Sequence, residues 1–290
     1  MEECGYLTLI RKIIKDGEIR KTRNAKVLSL FGESLSFNLT NNFPILTTKK
    51  MNIKNIFEEL IFFLRGETDT KILEAKGVKI WKPNTTREFL DSRNLDYEVG
   101  DMGPMYGFMW NHFGAEYKGC KHEYTDQGTN QVDNCIDLIK NDPTSRRIII
   151  TALDPSNLDK MVLAPCHCMI QFYVRNYKGE QYLDGQMYQR SADLMLGVPY
   201  NIASYSLLII MIARYCGIKP GKLNMVFGDV HIYENHLCGA IEQIRRSPDV
   251  SIPYIRFKCS EKTPIREYTI DDLELLNYEP QPIIKMKMVA

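Results

Sequence analysis

One cysteine in this sequence stands where a nucleophile could work. Leu163-Ala164-Pro165-Cys166-His167 opens an apolar strand. A nucleophilic thiol needs exposure at the end of an element, a fixed backbone and a nearby positive charge. Pro165 fixes the backbone. Arg190, which ends the following strand in Gln189-Arg190-Ser191, is the candidate charge. The alternative is an inert, buried strand cysteine. His167 invites a cysteine–histidine dyad, but adjacent strand side chains point to opposite faces, so direct pairing is not expected. The same alternation puts Cys166 and Cys168 on one face with His167 opposite, which argues against a tetrahedral zinc site.

Other residues could bind or move protons. Arg146-Arg147 is a basic pair at the start of an apolar strand, and both can reach one anion only if the backbone bends. Glu59 shares a helix face with Ile56, Leu60 and Phe63. A carboxylate there must raise its pKa, find polar partners or turn out to the rim. Neighbouring Glu58 points elsewhere, towards Lys54. Asn201 follows Pro199 before a helix, as an N-cap would. His231 alone reads as a core histidine, and the C-terminal Met288-Val289-Ala290 as a frayed end.

The elements that must position these groups follow from periodicity and breakers. Residues 5–15 and the amphipathic 53–65 are predicted helices, and 27–38 a hairpin turning at Gly32-Glu33. The polar stretch 82–105 reads as an irregular surface insertion. A helix at 130–140 precedes a strand at 147–153, and strands 166–175 and 181–189 flank a turn near Asn176-Tyr177-Lys178-Gly179. The 202–215 helix, stopped by Gly217 and Pro220, is apolar on nearly all sides and should be central. This mixed order predicts an α+β fold with no linker or repeat, hence one domain over 1–290.

The composition, 44% hydrophobic and 25% charged with net charge +1, suits one large core and gives no global sign of nucleic-acid or membrane binding. The N-terminus lacks a basic segment followed by an apolar run, so no secretory signal is expected. Eight scattered cysteines without Cys-x-x-Cys are expected to be reduced thiols in the cytoplasm, with no metal.

Several ordered blocks carry a resemblance. A-P-C-H at 164–167 is followed by Q-F-Y-V and then by Y-Q-R-S-A-D-L-M-L-G-V-P-Y-N-I-A-S-Y at 188–205. F-P-I-L-T-T-K-K at 43–50, E-E-L-I-F-F-L-R-G at 58–66, G-D-M-G-P-M-Y-G at 100–107, D-P-T-S-R-R at 142–147 and G-D-V-H-I-Y-E-N-H at 228–236 complete it. Together they resemble thymidylate synthases over essentially the whole chain.

The resemblance implies a mixed sheet packed with helices, dimerising through the sheet. It implies reductive methylation of dUMP to dTMP, with 5,10-methylenetetrahydrofolate as co-substrate. Cys166 becomes the nucleophile that adds to uracil C6, and Glu59 orders water for proton transfer with Tyr106 in its network. Arg23, Arg190, Ser191 and, from the partner subunit, Arg146 and Arg147 would clamp the phosphate. Arginine suits that task because its planar fork binds phosphate bidentately. Asn201 would read uracil, whose N3–H donor and O4 acceptor match one amide. His231 and Tyr233 would hold the sugar, with Asp193 also in the substrate site. Lys49, Ile80, Trp81, Asn84, Asp193, Gly197, Tyr200, Met288 and Val289 would hold the folate, the tail closing over both ligands. No membrane and no obligatory nucleic acid are implied.

This chain departs from the family pattern in three places. The loop after Arg23 reads Arg23-Asn24-Ala25-Lys26-Val27, without the usual glycines and one residue shorter. Lys50 stands where arginine is usual. Tyr200 replaces phenylalanine, adding a hydroxyl that needs a partner. A rival within the family is a pyrimidine-nucleotide hydroxymethylase. Asn201 opposes its cytosine-specific form, and Trp81, as a shield against water, favours methylation. A catalytically dead nucleic-acid binder would need a basic face and no equipped cysteine.

Overall fold

The computed structural model describes residues 3–22 and 25–289. In chain order the elements are α1 (Glu3–Asp16), β1 (Glu18–Lys21), β2 (Lys26–Phe31), β3 (Ser34–Asn38), α2 (Ile53–Leu64), α3 (Thr70–Ala75), α4 (Arg87–Ser92), α5 (Tyr106–His112) and α6 (Gln131–Asn141). There follow β4 (Ile149–Thr151), β5 (His167–Tyr177), β6 (Glu180–Asp193), α7 (Gly197–Tyr215), β7 (Lys219–Tyr233), α8 (Leu237–Ile244), β8 (Tyr254–Phe257) and β9 (Leu273–Leu276). The fold is α+β. A seven-stranded sheet runs β1-β2-β7-β6-β5-β4, with β3 also on β7, and β8 and β9 form a separate ribbon. β6 and β7 are parallel and the other pairs antiparallel, so the sheet is mixed.

The expected 27–38 hairpin is corrected. β2 and β3 both lie along β7, Val27 opposite Tyr233 and Asn38 opposite Lys222, in one unbroken register. Gly32, at φ 83°, bends this long strand without reversing it, and its N–H still bonds Gly228 O at 3.1 Å. The real hairpin joins β1 to β2. The 82–105 stretch is also more than a surface insertion. It contains α4, and Asn84, Leu90, Asp101, Met102 and Met105 are buried. Asp101 accepts from Gly103 N at 2.7 Å, Cys120 N at 3.0 Å and Tyr117 Oη at 2.5 Å, which satisfies a buried carboxylate.

α7 is the central helix, its buried residues running from Val198 to Ala213. It begins at Gly197, five residues earlier than the apolar run suggests, and the turn just before it is fixed by Asp193 Oδ1, which accepts from Met195 N at 3.0 Å and Leu196 N at 3.2 Å. Pro199 sits in the first turn, where its missing N–H has no helical partner to lose. Asn201 therefore lies inside the helix, and the N-cap reading falls. Among the described residues no helix is long and apolar enough to cross a membrane.

β6 can lie close under α7 because residue 185 is glycine. A Cβ there would sit 2.7 Å from Ile209 Cδ1 and 3.2 Å from Ile170 Cδ1. Gly185→Val should therefore cost about 1–3 kcal/mol through overpacking. The check is a lower urea midpoint with an unchanged m-value.

Candidate active site

Cys166 immediately precedes β5 and is held by backbone bonds on both sides. Its N–H donates to Tyr106 Oη at 2.9 Å, and its carbonyl accepts from Arg190 N at 2.9 Å. The Arg190 guanidinium reaches back across the strands, donating from Nε to Pro165 O at 2.8 Å and from Nη2 to Ala164 O at 2.7 Å. Arg190 thus orders the three residues of the nucleophile segment and supplies a cation. Burial pushes the Cys166 thiol up, and Arg190 pulls it down. Guanidinium donors beyond those two bonds remain for an anion.

His167 is buried and does not form a dyad with the thiol. Its ring stacks on Tyr106 at 4.0 Å and 8°, and Nδ1 lies 2.7 Å from Tyr205 Oη. Burial lowers its pKa to about 3, so it is neutral. The strand alternation is interrupted here by a register shift between His167 and Met169. Cys168 turns its Sγ to Pro165 O and Cys166 O, each at 3.6 Å.

Glu59 accepts from Trp81 Nε1 at 2.7 Å. Burial raises its pKa to about 7, against the lowering effect of that indole bond. It can therefore hold or release a proton near neutral pH. The Trp81 ring lies 6.1 Å from Tyr106, so carboxylate, indole, phenol and nucleophile backbone are contiguous. Glu58 does not face Lys54, as expected from the sequence. It is buried against Lys76 Nζ at 2.6 Å, because α3 packs on that side.

Asn201 Oδ1 accepts from Gln189 Nε2 at 3.1 Å, which turns the amide nitrogen away from Gln189. Gln189 is itself buried, and its Oε1 has no partner among the described residues. Sequence reasoning passed over Gln189, although it sits in the Y-Q-R-S block. Asp229 was passed over too: its Oδ1 takes His231 Nδ1 at 2.8 Å and its Oδ2 takes Arg20 Nη1 at 3.0 Å. Ladder pairs bring Ser191 to Asp229 and Asp193 to His231. The Tyr233 ring lies edge-on to His231 at 5.1 Å. Arg23 lies outside the described residues.

Of the expected folate residues, Trp81 bonds Glu59 and Tyr200 lies near enough to feel its charge. Ile80, Trp81 and Tyr200 are half-buried, and Asn84 is buried. The extra Tyr200 hydroxyl finds a partner in the Asn55 side chain. Gly197 stands over Asp193 and Asn201, 3.8 Å from each as a Cβ would measure it. Asp193 uses Oδ1 on the Met195 and Leu196 amides just before α7, and Oδ2 makes no hydrogen bond among the described residues. Lys49 is turned inward: it is buried, bonds Met195 O, and burial lowers its pKa to about 8. The tail is docked rather than frayed at residue 287, where Lys287 O meets His236 Nε2 at 2.8 Å, while Met288 is exposed. Arg146 and Arg147 stand apart, exposed and without a carboxylate within 4.0 Å among the described residues. Among the described residues no group of three or more His, Cys, Asp or Glu side chains is placed to hold a metal.

A cysteine backed by an arginine, with a protonatable carboxylate nearby, suits covalent catalysis on a planar electrophile. The comparisons narrow this class. The family model described as thymidylate synthase matches residues 4–290, and the chain belongs to the thymidylate synthase family. It is 48% identical over 291 residues to a bifunctional dihydrofolate reductase-thymidylate synthase of Zea mays, covering 100% of this chain and 55% of that one. It is 46% identical to the bifunctional protein of Paramecium tetraurelia, covering 100% of this chain and 62% of that one. With thymidylate synthase 1/2 of Encephalitozoon cuniculi the identity is 43%, covering 99% and 97%. The chain thus spans little more than half the length of the bifunctional relatives.

The raised pKa of Glu59 has a consequence for stability. Its contribution is complete below the ordinary glutamate pKa and is lost as pH rises through about 7. Glu59→Gln keeps an uncharged group on Trp81. It should match wild type at about pH 4 and exceed it by on the order of 2 kcal/mol above about pH 8, as read by urea unfolding.

Proposed function

We propose that this chain converts dUMP to dTMP by reductive methylation, and that residues 1–290 are its catalytic domain. One observation carries the reading. Arg190 holds the segment that presents Cys166, while the amide of Asn201 is oriented by the residue next to Arg190 in β6. The phosphate and the base would thus be set by adjacent residues around one thiol.

In this reading the Cys166 thiolate adds to uracil C6, forming a C–S bond and pushing the C5=C6 electrons towards O4 as an enolate. Asn201 reads N3–H and O4 with its acceptor and donor. Glu59, poised near neutral pH, handles protons through ordered water, with Tyr106 in the network. Arg23, Arg190 and Ser191 hold the phosphate, and His231 and Tyr233 the sugar. Bound 5,10-methylenetetrahydrofolate supplies the one-carbon unit and the hydride, leaving as dihydrofolate. Half-buried Ile80, Trp81 and Tyr200 would pack on its apolar rings, and Asp193 Oδ2 would take a ring donor. Asn84, Gly197, Lys49, Met288 and Val289 complete that site. With the tail docked on His236 through Lys287 O, Met288 and Val289 would close that site and exclude water.

A homodimer through the sheet completes the reading. Tyr173 and Tyr188 stand exposed on the outer face of β5 and β6, on the side away from α7. An aromatic face of this kind calls for a partner. Arg146 and Arg147 would cross to the partner's phosphate site. A cytoplasmic setting accords with eight free thiols.

Incubation with C5-tritiated dUMP and the folate should release tritium and yield dTMP. Cys166→Ser should abolish both while retaining dUMP binding; full activity in the variant would remove Cys166 from the mechanism. A hydroxymethylated product would instead establish the rival chemistry.

Trans donation of the arginines has its own test. One parent carries Cys166→Ala, the other Arg146→Glu with Arg147→Glu, and each is inactive. If the arginines cross the two-fold axis, a mixed dimer has one site with both lesions and one with neither. Activity should then return to about half of wild type for the mixed species. No recovery in dimers shown to have mixed would mean that the arginines act within their own subunit.

A further inference from the structure

We propose that Tyr205 is a positioning residue that holds His167 as the neutral Nε2–H tautomer, so that the imidazole next to the Cys166 segment offers an N–H donor rather than a base at its second nitrogen. The functional half rests on the reading of Cys166 as nucleophile; the tautomer itself does not.

Tyr205 belongs to α7 and is 3% exposed. Its ring is fixed edge-on by Trp110 at 6.3 Å and by His167 at 5.3 Å. Its hydroxyl makes one hydrogen bond among the described residues, to His167 Nδ1 at 2.7 Å. A neutral imidazole has one proton for two nitrogens, and the partner of one nitrogen decides which carries it. If Nδ1–H donated, the phenolic proton of Tyr205 would be left inside the core without an acceptor. If the phenol donates to Nδ1, both groups are satisfied and the imidazole proton sits on Nε2.

Nε2 makes no hydrogen bond among the described residues, and it is not one of the polar atoms sealed from solvent without a partner. His167 retains 9% exposure. The ring cannot flip cheaply. It lies flat on Tyr106 at 4.0 Å, and the Tyr106 hydroxyl receives the Cys166 N–H at 2.9 Å. Rotation would break the Tyr205 bond and disturb the stack that abuts the nucleophile backbone. Thiolate addition moves negative charge onto an oxygen of the substrate ring. A fixed neutral N–H stabilises such charge, directly or through one water, whereas the other tautomer would set a lone pair against it.

The experiment is ¹⁵N–¹H NMR of the ¹⁵N-histidine-labelled, ligand-free protein, with His167 identified by comparison with His167→Gln. The expected result is one neutral Nε2–H tautomer at His167. In Tyr205→Phe that single tautomer should be lost. Its kcat for dTMP formation should fall about tenfold or more, with the KM for dUMP within about twofold and melting close to wild type. A purely packing role would lower stability without this kcat–KM split. An Nδ1–H tautomer in wild type would overturn the proposal, and so would an unchanged kcat in Tyr205→Phe. If Tyr205→Phe does not fold, the wild-type spectrum decides the tautomer alone. If wild type makes no dTMP while showing Nε2–H, the functional reading has failed and the positioning assignment stands.

Discussion

The grip of Arg190 on the Ala164 and Pro165 carbonyls is the constraint on which the rest of the site depends. A peptide segment just outside a strand has carbonyls that no ladder satisfies. Here a cation from the neighbouring strand satisfies two of them, and the Arg190 amide takes a third at Cys166. One residue thereby sets both the conformation of the segment and the charge near its thiol. The guanidinium needs a rigid origin to do this, and β6 provides it, paired with β5 on one side and β7 on the other.

That rigidity comes from the packing of α7 on the sheet. The helix is apolar on nearly all sides because it is covered on nearly all sides, and its N-terminal half still carries polar work. Asp193 fixes the turn that leads into the helix, Asn201 faces Gln189, and Tyr205 faces His167. Asn201 and Tyr205, four residues apart, lie on one face of the helix. The helix that buries the core therefore also aims the side chains next to the thiol.

Buried polar groups mark where stability has been yielded to chemistry. Asp101 is buried with several donors and is structural. Glu59 has a single indole donor, and burial holds its pKa near neutrality, which is a cost to the fold and a qualification for proton transfer. Lys49, turned onto a backbone carbonyl with a lowered pKa, shows the same tension for a cation. Gln189 Oε1, without a partner among the described residues, lies in the same neighbourhood as Asn201.

What the sequence determined alone was the α+β class, the main helices and the residues with chemical potential, because periodicity, breakers and ordered motif blocks are local along the chain. It could not decide that residues 26–38 form one bent strand, since a glycine bend and a hairpin turn carry the same Gly32-Glu33 signal and only the β7 partner separates them. Nor could it place Asn201 inside a helix, because Pro199 before Asn201 carries the same signal at a helix boundary as in a first turn, and only the structure starts α7 at Gly197. The partner of Glu58 was equally out of reach: Lys54 is a helix neighbour, whereas Lys76 arrives only when α3 folds back. Gln189, Asp229 and Tyr205 acquire their roles from cross-strand and helix-to-sheet contacts. Residue types and spacing can nominate a nucleophile. Only tertiary structure decides which groups set its geometry, because hydrogen bonds between distant segments depend on distances that the linear order does not contain.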